Sequence, residues 1–115
     1  MLPDCLMDKL LAFREERDWK QFHNLRTLST SILLEAAELA ELTQWARDTE
    51  IATIANERRT EISREVADIA ILLSYLVHDL GIDLEKAVAE KVEFNAKRYP
   101  VEKAKGSAKK YDQLD

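Results

Sequence analysis

Only two glycines (Gly81, Gly106) and two prolines (Pro3, Pro100) interrupt 115 residues. A chain so poor in backbone breakers favours long helices over turns and hairpins. Apolar spacing supports this, with four helices and no strands expected. The first runs from Asp4 to Arg17 on a Leu6, Leu10, Phe13 stripe, with Asp4 as N-cap behind Pro3. Residues 18–24 break the pattern and read as a connection. The second helix starts near Thr27 or Ser29 and ends near Arg47, with Leu28, Ile32, Leu39, Leu42 and Ala46 on its stripe. The third covers about Ala55 to Leu80 and stops at Gly81. Asp83 caps the fourth, which Pro100 ends after Tyr99. Phe13 and Phe94 read as core aromatics. The fold class is therefore all-α, a four-helix bundle in a single domain over 1–115, with 101–115 an irregular basic tail. The second and third helices are apolar on more than one face. A chain this short then completes its core by oligomerising.

The net charge is −5, which argues against a nucleic-acid polymer as partner. It is unevenly spread. Residues 91–110 carry seven bases and two acids, +5, against −10 in the remainder. The N-terminus lacks the basic and apolar regions of a signal peptide, and Ile69–Leu73 is too short to span a membrane. Cys5 is the single cysteine, so no intrachain disulfide is expected, which fits a reducing, cytoplasmic setting.

Chemistry concentrates in three groups. Glu35 and Glu38 form one acidic pair at i and i+3, and Glu65 and Asp68 another, each pair sharing one helical face. Glu35 falls on the apolar stripe of its helix. Asp68 lies within the apolar run Val66–Val77, where burial is expected. A buried carboxylate needs a pairing charge or a metal. Four carboxylates without a neighbouring Cys or His suit Mg²⁺ or Mn²⁺; exposed helix-surface pairs are the ordinary alternative. The second group is Trp19, Phe22, His23 and Trp45. Trp45 stands seven residues after Glu38 and so projects about two turns along the same face. Flat aromatics beside a metal–phosphate site can hold a nucleobase, and His23 either meets a base edge or caps the second helix. Lys91, Asn95 and Arg98 are the third group, a solvated basic face or a phosphate clamp joined by Lys109, Lys110 and Tyr111. There is no P-loop and no nucleophile arranged for covalent catalysis.

Several strings together resemble a known family. They are Arg17-Asp-Trp-Lys-Gln-Phe-His23, Glu35-Ala-Ala-Glu-Leu-Ala-Glu-Leu-Thr-Gln-Trp45, Glu65-Val-Ala-Asp68, Lys91-Val-Glu-Phe-Asn95, Arg98-Tyr-Pro100 and Gly106-Ser-Ala-Lys-Lys-Tyr111. In this order they are similar to the all-α nucleoside triphosphate pyrophosphohydrolases, the MazG-like group, and within it the dCTP pyrophosphatase branch. The resemblance implies Mg²⁺-dependent cleavage of a nucleoside triphosphate to monophosphate and pyrophosphate, with a cytosine preference and a role in cleaning the nucleotide pool. It implies metal ligands at Glu35, Glu38, Glu65 and Asp68. A carboxylate not fully used as a ligand can take the proton of an attacking water, and Glu38, with Glu35, is the candidate for that chemistry. The resemblance also implies a base and sugar pocket from Trp19, Gln21, Phe22, His23 and Trp45. Lys91, Asn95, Arg98, Lys110 and Tyr111 would meet the phosphates, and the chain would assemble as a dimer or tetramer, the tetramer being expected here. Relatives often carry a tyrosine where this chain has Leu72; Tyr75 lies one turn further along. A non-catalytic nucleotide-binding module and a plain helical oligomer are the competing readings, and the four carboxylates and the Trp-rich connection argue against them.

Overall fold

A computed structural model describes all 115 residues. It contains six α-helices and no strand: α1 (Asp4–Glu16), α2 (Leu25–Glu41), α3 (Ile51–Glu57), α4 (Arg59–Leu80), α5 (Leu84–Arg98) and α6 (Val101–Ala104). Three short 3₁₀ turns lie at Lys20–Phe22, Asp48–Glu50 and Tyr111–Gln113. The all-α class stands, but the expected four helices are six.

The differences have local causes. Helix α2 starts two residues before Thr27 because Asn24 caps it. The Asn24 side chain accepts from the Thr27 amide and Thr27 Oγ1 accepts from the Asn24 amide, both at 3.0 Å. This reciprocal pair satisfies two otherwise orphaned donors. His23 is thus not the cap. At its other end α2 stops at Glu41 and relaxes into turns, well short of Arg47. The expected third helix is broken at Arg58, which leaves helical dihedrals (φ −101°, ψ 25°). Arg58 donates to Glu61 at 2.6 Å across the first turn of α4. An acidic residue there complements the positive end of the helix. Gly81 ends α4 as anticipated, in the left-handed conformation at φ 64°, donating its amide back to His78 and Val77.

The chain divides into two compact units, Met1–Gly81 and Ile82–Asp115. In the first, α2 and α4 form the principal packed pair, with α1 and α3 also against α4. Its buried apolar residues are Leu28 and Tyr75 alone. Phe13, read as core, is 44 % exposed, and its ring instead carries the Arg17 guanidinium at 3.6 Å. In the second unit Asp83 caps α5 by accepting from the Lys86 amide at 3.1 Å. Phe94 is exposed, flanked by Lys91 and Arg98. The stretch after Pro100 is not irregular throughout. It forms α6 and returns Tyr111 to the end of α5, where Arg98 stacks on it at 3.5 Å and Tyr99 meets it edge-on.

Candidate functional site

Glu35 and Glu38 project from α2 and Glu65 from α4. One carboxylate oxygen of each lies within 4.8 Å of the others. The i,i+3 spacing puts the first two on one face, and the packing of α2 on α4 brings the third to them. Glu35 Oε2 and Glu65 Oε2 are buried and have no hydrogen-bond partner. Two partnerless buried acceptors of like charge are costly. A proton or a cation relieves that cost. The proton's share is visible at Glu65, whose carboxyl is pushed up to about 7. The chief cause is the Glu35 carboxylate, which can accept a hydrogen bond from Glu65 only once Glu65 is protonated, followed by loss of hydration and the charge of Glu38. All-oxygen donors of this kind fit Mg²⁺ or Mn²⁺.

Asp68 differs from expectation. It is exposed rather than buried, and lies outside the three-carboxylate cluster. Helix α4 turns an incompletely covered face outward at this level, where Val66 is also 49 % exposed. Asp68 and Glu35 instead both border a cavity of about 350 Å³. The rest of that cavity is largely apolar, walled by Phe13, Trp19, Tyr75 and Leu72 among others, with His23 also on its wall. A mostly apolar hollow with a few convergent polar groups is the usual form of a small-molecule site.

The aromatic group splits. Trp19 faces the cavity, edge-on to Phe13 at 5.7 Å. Phe22 is 62 % exposed on the 3₁₀ turn, outside the lining, and Gln21 is engaged with Asp18 at 2.8 Å. Trp45 does not continue the face of Glu38: α2 ends four residues earlier, and the indole stands 89 % exposed in the following turn. Both Leu72 and Tyr75 line the cavity, but Tyr75 is buried and its hydroxyl donates to the Leu10 carbonyl at 2.6 Å. Lys91, Asn95, Arg98, Lys110 and Tyr111 all belong to the second unit.

One buried group escaped the sequence reading. Arg14 is 3 % exposed and makes a two-pronged ion pair with Asp79, both contacts at 2.8 Å. The bond to Arg14 holds the Asp79 carboxyl below its ordinary range. Arg14 follows Leu10 by four residues, a charge in the apolar stripe of α1, which is the same signal that singled out Glu35.

The model of the MazG-like family matches residues 30–114. Mouse dCTP pyrophosphatase 1 is 42 % identical over 104 residues, which are 89 % of this chain and 61 % of that protein. The human dCTP pyrophosphatase 1 is 38 % identical over the same shares. The chain thus spans about three fifths of the length of these curated relatives. A crystal structure of a pyrophosphatase from Archaeoglobus fulgidus superposes with a TM-score of 0.80 at 38 % identity, covering 83 % of this chain and 89 % of that one.

Proposed function

The chain belongs to the MazG-like family, and from that premise we propose that it is a Mg²⁺-dependent nucleoside triphosphate pyrophosphohydrolase. It would cleave (deoxy)nucleoside triphosphates, dCTP foremost, to the monophosphate and pyrophosphate, and so clear the nucleotide pool. The observation that carries this reading is the pair of buried, partnerless oxygens on Glu35 and Glu65, with Glu38 alongside, next to the aromatic-walled cavity. The named activities of the mouse, human and archaeal relatives support it.

Glu35, Glu38 and Glu65 would hold Mg²⁺, or Mn²⁺ in its place, with Asp68 completing the set from the cavity rim. The cation supplies neutralisation of phosphate oxygens and a lowered pKa for bound water. In the reaction a P–O bond forms to water while the α–β bridging P–O bond breaks, and pyrophosphate leaves. Glu38, the exposed member of the cluster, is the proposed acceptor of the water's proton, with Glu35 beside it. Trp19 and His23 are assigned to the base, with Trp45, Phe22 and Gln21 assigned there by resemblance alone. Lys91, Asn95, Arg98, Lys110 and Tyr111 are assigned to phosphate oxygens on the chemistry of their donors.

The oligomer, proposed as a homotetramer, rests on the unfinished core of the first unit, where Leu33 and Leu34 stand 67 % and 58 % exposed. No helix is long and apolar enough to cross a membrane. A cytoplasmic location is proposed on the free, exposed Cys5.

The deciding experiment is a pyrophosphate-release assay over common and modified nucleotides with Mg²⁺, with and without a chelator. Release that is fastest with dCTP, and that chelation or Glu35→Gln stops, is the expected result. Nucleotide binding without any release would instead establish the non-catalytic module.

A further inference from the structure

Arg14 does more than close an ion pair. Its guanidinium lies 4.5 Å over the Tyr75 ring, gives one proton from each terminal nitrogen to Asp79, and turns the second Nη1 position to His23 Nδ1 at 3.3 Å. Arginine has donors only. For this contact to be a hydrogen bond the facing atom must offer a lone pair, which calls for an unprotonated His23 Nδ1 and the imidazole proton on Nε2. The ring is steadied by Tyr75, 5.3 Å away. His23 lines the cavity, and the one hydrogen bond of its ring within the chain is through Nδ1, which leaves Nε2 available to a ligand. Burial first, then the Arg14 charge, keep the imidazole less basic than an ordinary histidine, against the opposing pull of Asp79.

We propose that Arg14, held by Asp79, is a positioning residue that fixes His23 as the neutral Nε2–H tautomer and thereby presents a hydrogen-bond donor to an acceptor on the edge of a bound nucleobase. The proposal rests on the nucleotide reading of the cavity. A carbonyl or unprotonated ring nitrogen satisfies such a donor, whereas an amino group facing it leaves two donors opposed. A site built to hydrogen-bond one pattern rejects the other because its own group is left unpaired. Arg14 would thus shape base choice without touching the base.

The test has two arms on the full chain. In the first, ¹⁵N-histidine NMR without nucleotide reads the tautomer of His23, with the exposed His78, the other histidine, as reference. The wild type should show a bare Nδ1 and a protonated Nε2. Arg14→Gln, whose amide can donate or accept, should mix the two tautomers. Arg14→Lys, again a donor only, should restore the wild-type pattern. If Arg14→Gln does not fold, Asp79→Asn, which loosens the hold on Arg14, replaces it with the same expected direction. In the second arm, KM for the preferred nucleotide should rise about fivefold in Arg14→Gln, the net worth of one neutral hydrogen bond, with kcat within about twofold of wild type. A protonated Nδ1 in the wild type, a tautomer unchanged in Arg14→Gln, or a loss confined to kcat would overturn the proposal. Should the chain hydrolyse no nucleotide, the functional reading falls, while the first arm still decides whether Arg14 sets the tautomer.

Discussion

Glu65 shows how one side chain can tie metal, proton and stability together. Its carboxyl titrates near 7 in the folded chain against an ordinary 4.5. Between those values the folded state holds a proton that the unfolded state has released, so this group's stabilisation is complete below about pH 4.5 and is lost as pH rises through about 7. The metal-free protein should therefore melt at a lower temperature at pH 8 than at pH 5.5 on this account. Glu65→Gln should flatten that dependence and raise the melting temperature at pH 8. At the proposed site Mg²⁺ would displace the same proton, so its stabilising shift should be larger at pH 8 than at pH 6 in the wild type, and nearly absent in Glu65→Gln. A Mg²⁺ shift independent of pH would contradict proton sharing at the cluster. Asp68→Asn separates the two roles: from an exposed position it should leave the metal-free melting temperature almost unchanged while abolishing turnover. Glu35 was legible in the sequence because a charge within an apolar stripe breaks the local rule. Asp68 was placed wrongly by the same logic, since an apolar run in sequence does not say which face of α4 the single chain leaves uncovered.

At the level of elements, the ends proved harder to read than the helices themselves. Gly81 and Pro100 are strong punctuation and put the ends of α4 and α5 where the sequence suggested. Between Asp4 and Leu80 there is neither glycine nor proline, so the end of α2 at Glu41 and the break at Arg58 carried no compositional mark. Trp45 was misplaced for that reason: its assignment to the face of Glu38 needed a helix that had already ended. Asn24 is a capping type, but it closes the stretch 18–24 that interrupts the apolar pattern, which masks its role in the sequence. The Asn24–Thr27 exchange fixes where α2 begins, two residues after His23. Asn24→Ala should cost about 1 kcal/mol, read as a lowered denaturant midpoint at unchanged m-value. No loss would mean that α2 is anchored by its packing on α4 alone.

For the molecule as a whole, the governing fact is how little the first unit buries by itself. Leu28 and Tyr75 are its only fully buried apolar residues, the other apolar positions of α2 and α4 are at best partly covered, and Leu33, Leu34 and Trp45 face outward. The sequence foretold a deficit of this kind from helices apolar on more than one face. It could not say which residues would be left out, because that depends on which helices the chain pairs first. If the proposed assembly buries this face, Leu33→Glu should convert it to smaller species by sedimentation at micromolar concentration and lower the melting temperature by several degrees, since a charge cannot be buried unpaired. A wild-type chain that sediments as a stable monomer would refute the assembly. The attachment of α1 has its own consequence, measured in time. Two links, Arg14 to Asp79 and the Tyr75 hydroxyl to Leu10, join positions 65 residues apart and hold α1 to α4. The packing of α1 on α4 is slight beside that of α2 on α4, so α1 should open as a separate unit, its amides exchanging with deuterium sooner than those of α2 and α4. Tyr75→Phe should hasten exchange in α1 and leave α2 at its former rate. Because α1 lends Leu10 and Phe13 to the cavity wall, a ligand bound there should slow that same exchange, making the first helix a clock for occupancy of the site.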